Sequence, residues 1–245
     1  MSPHAGSPAV RTALRRVGHK GADLIAPGNT AASFDAALAA GVDMIEFDVL
    51  PERRDGSGRL LLAHDYSALR RGEALTLEQG LDHLAGSGFA DVELDVDLKL
   101  PGYEPRVLAA LRRSGLLGRA LISTMYRESL ERLRALEPTA RLGWSVPRVR
   151  RDYTTDLLTK LPALAFATGY RLALPRLAAA ALSGGRCDAL MAHWRLVTPA
   201  LVRAVGAAGG ELYVWTVDDR AQIARLERMG VTGVITNDPR LFATP

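Results

Sequence analysis

The chain has 245 residues, 48% hydrophobic and 24% charged, long enough to bury a full core and ordinary in composition for a globular protein. Its formal charge of +4 is spread over 31 basic and 27 acidic side chains, which excludes the concentrated basic stripe of a nucleic-acid binder. A single cysteine, Cys187, excludes an internal disulfide and a cysteine-based zinc site, and no run of about 18 apolar residues marks a membrane span.

Residues 1–14 hold no apolar stretch of the signal-peptide kind and are expected to form a disordered tail, with the cytoplasm as the default location. Residues 15–245 show no linker or shift of composition and are expected to form one domain. The first strand is expected at Leu14–Val17. A helix over Ser33–Ala40 ends at Gly41, and a second strand covers Met44–Val49. The turn Asp55-Gly56-Ser57-Gly58 leads into a short extra strand, Leu60–Ala63, and Thr76 with Gln79 forms a capping-box start. Strands follow at Val92–Leu98, Ala120–Ser123 and Leu142–Val146, with a helix over Glu128–Leu136. Residues 147–186 must hold one helix and a long, partly irregular connection. Beyond them, strands Ala189–Ala192, Leu212–Val217 and Gly233–Thr236 alternate with helices Thr198–Ala208 and Arg220–Met229. Eight strand–helix units without a Gly-rich nucleotide fingerprint predict a TIM (β/α)8 barrel with a small hairpin strand after strand 2.

Strands of a helix-covered parallel sheet normally read as continuous Val, Ile and Leu. Here the second strand reads Met44-Ile45-Glu46-Phe47-Asp48-Val49, and alternation turns Glu46 and Asp48 to one face. In the third, Glu93, Asp95, Asp97 and Lys99 share a face. Carboxylates confined together repel and lose hydration, which costs several kcal/mol per unpaired ion. Lys99 supplies part of the compensating charge and a divalent cation would supply the rest. All-oxygen ligands select Mg²⁺ or Ca²⁺ over zinc. A structural salt-bridge network is the competing reading. His19 ends the first strand and His64 the hairpin strand, so both fall on the acidic rim, where imidazoles with pKa about 6.5 can move protons at neutral pH. Asp65 could orient one ring. His193-Trp194 at the end of the sixth strand is either a substrate contact or a packed aromatic corner. Arg148, Arg150 and Arg151 read as a solvated loop or an anion-attracting cluster.

Gly18-His19-Lys20-Gly21, Pro27-Gly28-Asn29-Thr30, the block Gly41 to Val49 and His64-Asp65 closely resemble the glycerophosphodiester phosphodiesterase family. The order continues through Asp97-Leu98-Lys99, Ser123, Trp215-Thr216-Val217 and Gly233 to Pro239, so the likeness spans about residues 15–240. The resemblance implies a TIM barrel with His19 and His64 as acid and base, and with Glu46, Asp48 and Asp97 as metal carboxylates. It further implies Lys99 as a phosphate-stabilising lysine and Trp215 as an aromatic packing on the alcohol. The expected partner is a small glycerophosphodiester, cleaved to glycerol phosphate and an alcohol, with no nucleic acid and no stable membrane insertion. Three positions depart from the family pattern. Lys20 replaces the usual arginine, keeping a phosphate-directed charge without the bidentate fork. Gly28 replaces a glutamate, and Asp97 stands where glutamate is common. The segment after His64 is also short. These departures leave open a lysophospholipid-cleaving phosphodiesterase, and a barrel that binds a phosphorylated ligand without turnover.

Overall fold

The computed structural model describes residues 13–70, 72, 74–147 and 157–243, with side chains in the last stretch from residue 168 onward. Most of the tail expected over residues 1–14, and the arginines at 148, 150 and 151, lie outside the described residues. The strands are β1 (Arg15–Gly18), β2 (Met44–Pro51), β3 (Leu60–Leu62), β4 (Glu93–Leu98), β5 (Ala120–Thr124), β6 (Arg141–Val146), β7 (Ala189–His193), β8 (Glu211–Trp215) and β9 (Gly233–Thr236). Eight of them pair in parallel in the ring order β1-β2-β4-β5-β6-β7-β8-β9, and β9 pairs back onto β1. The fold is a TIM barrel. The ninth strand, β3, runs antiparallel to the upper end of β2, where β2 has left β1, and stays outside the ring.

Around the ring lie α1 (Ala31–Ala39), α2 (Tyr66–Leu69), α3 (Leu77–Leu84), α4 (Glu104–Arg113), α5 (Arg127–Leu136), α6 (Leu157–Ser183), α7 (Pro199–Ala207) and α8 (Arg220–Met229). Their ends carry the expected chemistry. Thr76 and Gln79 form the capping box of α3, Thr198 caps α7, and left-handed Gly230 closes α8. α1 begins two residues before its expected start because Thr30 caps it and Ser33 completes a second box. The stretch expected to be partly irregular holds a 27-residue helix, α6. α4 was not anticipated: its turn-like sequence, Pro101-Gly102-Tyr103-Glu104-Pro105, puts proline in the first helical turn, where it starts a helix rather than breaking one. No helix among the described residues is long and apolar enough to cross a membrane.

The alternation in β2 sorts its side chains as expected. Ile45, Phe47 and Val49 enter the large core between barrel and helices, while Met44 joins Val17, Leu121, Met191, Tyr213 and Ile235 in a separate apolar cluster within the ring. Cys187 is buried in the outer core, and burial pushes its thiol up to about 11, so it behaves as a small hydrophobe. At the N-terminal ends of alternate strands the interior is closed by charge. Arg15 pairs with Glu93, and Arg141 bridges Glu93 at 2.8 Å and Glu211 at 2.9 Å. Glu93 therefore leaves the acidic set read from the sequence. It shares a face with Asp95 and Asp97, but it sits at the floor of the barrel in a structural ion network.

Candidate active site

The first turn after β1 is forced tight by two glycines. A Cβ on Gly18 would lie 2.1 Å from the Gly21 carbonyl oxygen, and Gly21, at φ +85°, backs onto Ser33. Within that turn the His19 N–H donates to the Thr236 carbonyl at 2.8 Å, which fixes the histidine at the C-terminal mouth of the barrel. Lys20 takes a left-handed φ of 50° and its N–H donates to Glu46 Oε2 at 2.7 Å.

His19 Nδ1 lies 2.5 Å from Asn237 Oδ1. The Asn237 amide is itself oriented: its Nδ2 donates to Asp218 Oδ2 at 2.7 Å and its backbone N–H to Asp218 Oδ1 at 2.8 Å. Its oxygen is thus an acceptor, His19 carries its proton on Nδ1, and Nε2 keeps a free lone pair. Burial pushes the His19 pKa down against the opposing pull of Asp48, so the neutral imidazole prevails at pH 7.

In β2 and β4, Asp48 stands in register with Asp97, and Glu46 with Asp95. One oxygen from each of Glu46, Asp48 and Asp97 lies within 4.8 Å of the others, the only such group of three among the described residues. Lys99 pairs with Asp97 and reaches Asp48 Oδ1 at 2.5 Å, an ion contact outside hydrogen-bond geometry. Asp48 is fully buried. Burial alone would raise its pKa, but the Lys99 ammonium, helped by the two histidines, holds it below the usual carboxylate range. For Glu46 the pull of Lys99 is outweighed: burial, then the Asp48 charge, push it well above its ordinary value. Desolvation works against the Lys99 ammonium, yet Asp48, Asp97 and Glu46 together raise it.

With all three carboxylates ionised, Lys99 leaves two negative charges in excess. That imbalance and the oxygen-only donors fit a hard divalent cation. The Asp48 carboxylate is aimed by Asn29, whose Nδ2 donates to Asp48 Oδ2 at 2.8 Å while its Oδ1 accepts from the Asp48 N–H at 3.0 Å. Sequence reasoning had singled out neither Asn29 nor Asn237 as functional. The one available signal was that both fall inside the matched motifs.

The cavity above these groups measures about 160 Å³. Its lining includes His19, Glu46, Asp97, Lys99, His64 and Trp215, so six of the eight expected site residues meet in one space. Asp48 lies just behind, fully buried. His64 stands at the open side, its ring half-exposed, with Nδ1 3.3 Å from Asp65 Oδ2. Asp65 is committed chiefly to capping α2 through the Ser67 and Ala68 N–H groups. Trp215 donates from its indole N–H to the Met191 carbonyl at 3.0 Å, leaving its ring on the cavity wall. His193 is the packed corner rather than a lining residue. It stacks on Trp194 and meets Trp215 edge-on at 5.2 Å.

Lys20 does not line the cavity, because its ammonium turns to Asp23 at 3.2 Å. The same aspartate accounts for Gly28. Asp23 Oδ1 accepts from the Gly28 N–H at 2.9 Å, and a Cβ on Gly28 would lie 2.5 Å from that oxygen. Asp23 thus sets a carboxylate beside Gly28 and Lys20, outside the cavity lining.

The model of the glycerophosphoryl diester phosphodiesterase family matches residues 19–74 and 88–241. The chain is 24% identical to the glycerophosphodiester phosphodiesterase of Caldanaerobacter subterraneus, covering 91% of this chain and 93% of that one. It is also 24% identical to that of Bacillus subtilis, over 92% and 84%. Among solved structures, a glycerophosphodiester phosphodiesterase from Agrobacterium tumefaciens superposes with a TM-score of 0.67 at 22% identity, covering 94% and 97%. A phosphodiesterase from Oleispira antarctica, in complex with the product sn-glycerol-3-phosphate, gives 0.65 at 20% identity, covering 93% and 94%. With the mouth-facing histidine and the three-carboxylate group falling inside the matched stretches, the chain belongs to the glycerophosphoryl diester phosphodiesterase family.

Proposed function

We propose that this chain hydrolyses glycerophosphodiesters to glycerol phosphate and an alcohol, with Mg²⁺ or Ca²⁺ held by Glu46, Asp48 and Asp97. The single observation that carries the reading is the convergence of those three carboxylates and Lys99 beside a neutral, oriented His19 in one cavity. Bound there, the cation would neutralise charge building on the phosphoryl oxygens. Lys99 offers a second positive group to the same oxygens. Its contacts with Asp48 and Asp97 keep the ammonium charged and aimed.

His19, with Nε2 unprotonated, takes the proton of the nucleophile, either water or the neighbouring hydroxyl of the glycerol moiety. The new P–O bond forms as the bond to the alcohol breaks, and the departing oxygen takes a proton from His64 at the mouth, the side by which the alcohol leaves. Asn237 serves His19 by fixing its tautomer, and Trp215 gives the organic part an apolar wall. The product complex of the Oleispira antarctica relative supports glycerol phosphate as the retained half.

The test is turnover of glycerophosphocholine with Mg²⁺ or Ca²⁺, set against a chelator control and the His19→Ala and His64→Ala variants. The account expects metal-dependent release of choline and loss of about 10²-fold or more in either variant. A phosphorus NMR time course separates the nucleophiles by showing or excluding a cyclic phosphate. No metal-dependent activity on several phosphodiesters would overturn the reading and favour a non-catalytic phospholigand barrel.

A further inference from the structure

The floor of the cavity is not explained by the chemistry above it. Asp95 points into the barrel one level below Asp97 on β4 and is 1% exposed, yet it lines the cavity, and its Oδ1 has no hydrogen-bond partner. Two serine side chains, Ser123 and Ser145, line the same floor, and both are buried. Ser123 faces the same space as the Asp95 carboxyl. Space is kept there deliberately: a Cβ on Gly143, which is in register with Ser123, would lie 3.0 Å from the Ser123 Cβ and 3.1 Å from Met191 Cγ.

A buried acceptor left unpaired costs about 1–3 kcal/mol, so the floor is built for a donor that arrives with the ligand. The donor is neutral rather than cationic: a quaternary choline head has no N–H to donate, and once a divalent cation offsets the carboxylates, the Lys99 ammonium in the same space disfavours an ethanolamine head. A cavity on the order of 150 Å³ takes a six-membered ring of six heavy atoms, and glycerol has the same number. Met191, Ile235 and Trp215 supply apolar contact for a short carbon chain between floor and mouth.

We propose that Asp95, supported by Ser123, recognises the terminal hydroxyl of the glycerol moiety and so selects glycerol-linked diesters over those that lack it. The inference rests on the phosphodiesterase reading of this site and adds to it the group that chooses the retained half of the substrate. A hydroxyl donates to Asp95 Oδ1. An analogue without it leaves the buried oxygen bare, which is the situation in which enzymes discriminate strongly.

The experiment compares kcat/KM for glycerophosphocholine and for 2-hydroxypropyl phosphocholine, which keeps the hydroxyl beside the phosphate ester and lacks the terminal one, by choline release from the metal-loaded enzyme. The native chain should prefer the glycerol diester by about tenfold or more. Asp95→Ala should bring that ratio toward one, mainly through KM for glycerophosphocholine, and Ser123→Ala should lower it part of the way. A residue with a merely structural role would depress both substrates alike and leave the ratio where it was, which overturns the inference. A native ratio near one overturns it without any variant. If neither diester is cleaved the phosphodiesterase reading itself falls, whereas cleavage of both at equal efficiency removes only the role of Asp95.

Discussion

Replacing Asn29 isolates how much of the site depends on aiming one carboxylate. Asn29 is 6% exposed and makes two hydrogen bonds to Asp48, one of them charge-assisted at 2.8 Å and the other accepting the Asp48 N–H at 3.0 Å. Its φ of 61° lies in the left-handed region, which glycine tolerates and alanine does not. Asn29→Gly therefore removes both bonds without adding backbone strain. Losing a bond to a charged group and orphaning a buried N–H should together cost about 2–4 kcal/mol, with water returning to the vacated amide space as partial compensation. Asn29→Ala should lose roughly 1–2 kcal/mol more from backbone strain alone. The assay is urea unfolding with and without Ca²⁺ or Mg²⁺, together with titration of the metal by calorimetry. A freed Asp48 carboxylate should weaken metal binding about 10–100-fold, the usual consequence of losing an orienting partner. If Asn29→Gly unfolds with the native midpoint and binds metal as tightly, the claim that Asn29 aims Asp48 is wrong. If glycine proves worse than alanine, the strain assignment is wrong.

Other expectations follow from the same geometry. Lys99→Met strips the ammonium from a buried carboxylate cluster, so the metal-free protein should lose about 3–5 kcal/mol, much of it restored by a saturating divalent ion, while kcat falls by about 10²-fold or more. A metal-free stability equal to that of the native chain would contradict the ion contacts drawn here. Burial holds His19 below 6.5, and a general base fails when protonated; activity should therefore fall only as pH drops through a value under 6.5, and kcat/KM should be flat just above it. An acidic limb centred above 6.5 would argue against His19 as the base. Arg141→Met breaks the ion network at the barrel floor, whose groups are about one-third exposed, so it should cost roughly 1–3 kcal/mol in unfolding and leave KM near its native value. A large change in KM would show that the floor network reaches the site.

Much of the site was legible because a strand's side chains alternate strictly, so acids at 46, 48, 95 and 97 had to face inward in a barrel whose outer face is apolar. Depth along the strand was not legible. Glu93 shares the acidic face but sits two residues below Asp95, where Arg15 and Arg141 claim it, and only the register between strands separates that level from the metal group. The two readings of the acids divide between the ends of one strand: an ion network at Glu93, and at Asp97 a three-carboxylate group that could hold a metal. Asn29 and Asn237 come from loops of the first and last units, and nothing in their local sequence says which side chain each will orient. Nothing in the sequence around Gly28 says that the Asp23 carboxylate, five residues earlier, closes on its N–H. The prolines at 101 and 105 disguised α4, since proline punctuates a loop and starts a helix with equal ease.

The central claim is tested most directly by anomalous diffraction from crystals soaked in Mn²⁺ or Ca²⁺. One strong peak within about 2.0–2.6 Å of oxygens from Glu46, Asp48 and Asp97 is the predicted result. Density confined to other carboxylates, with none among Glu46, Asp48 and Asp97 at saturating metal, would contradict it.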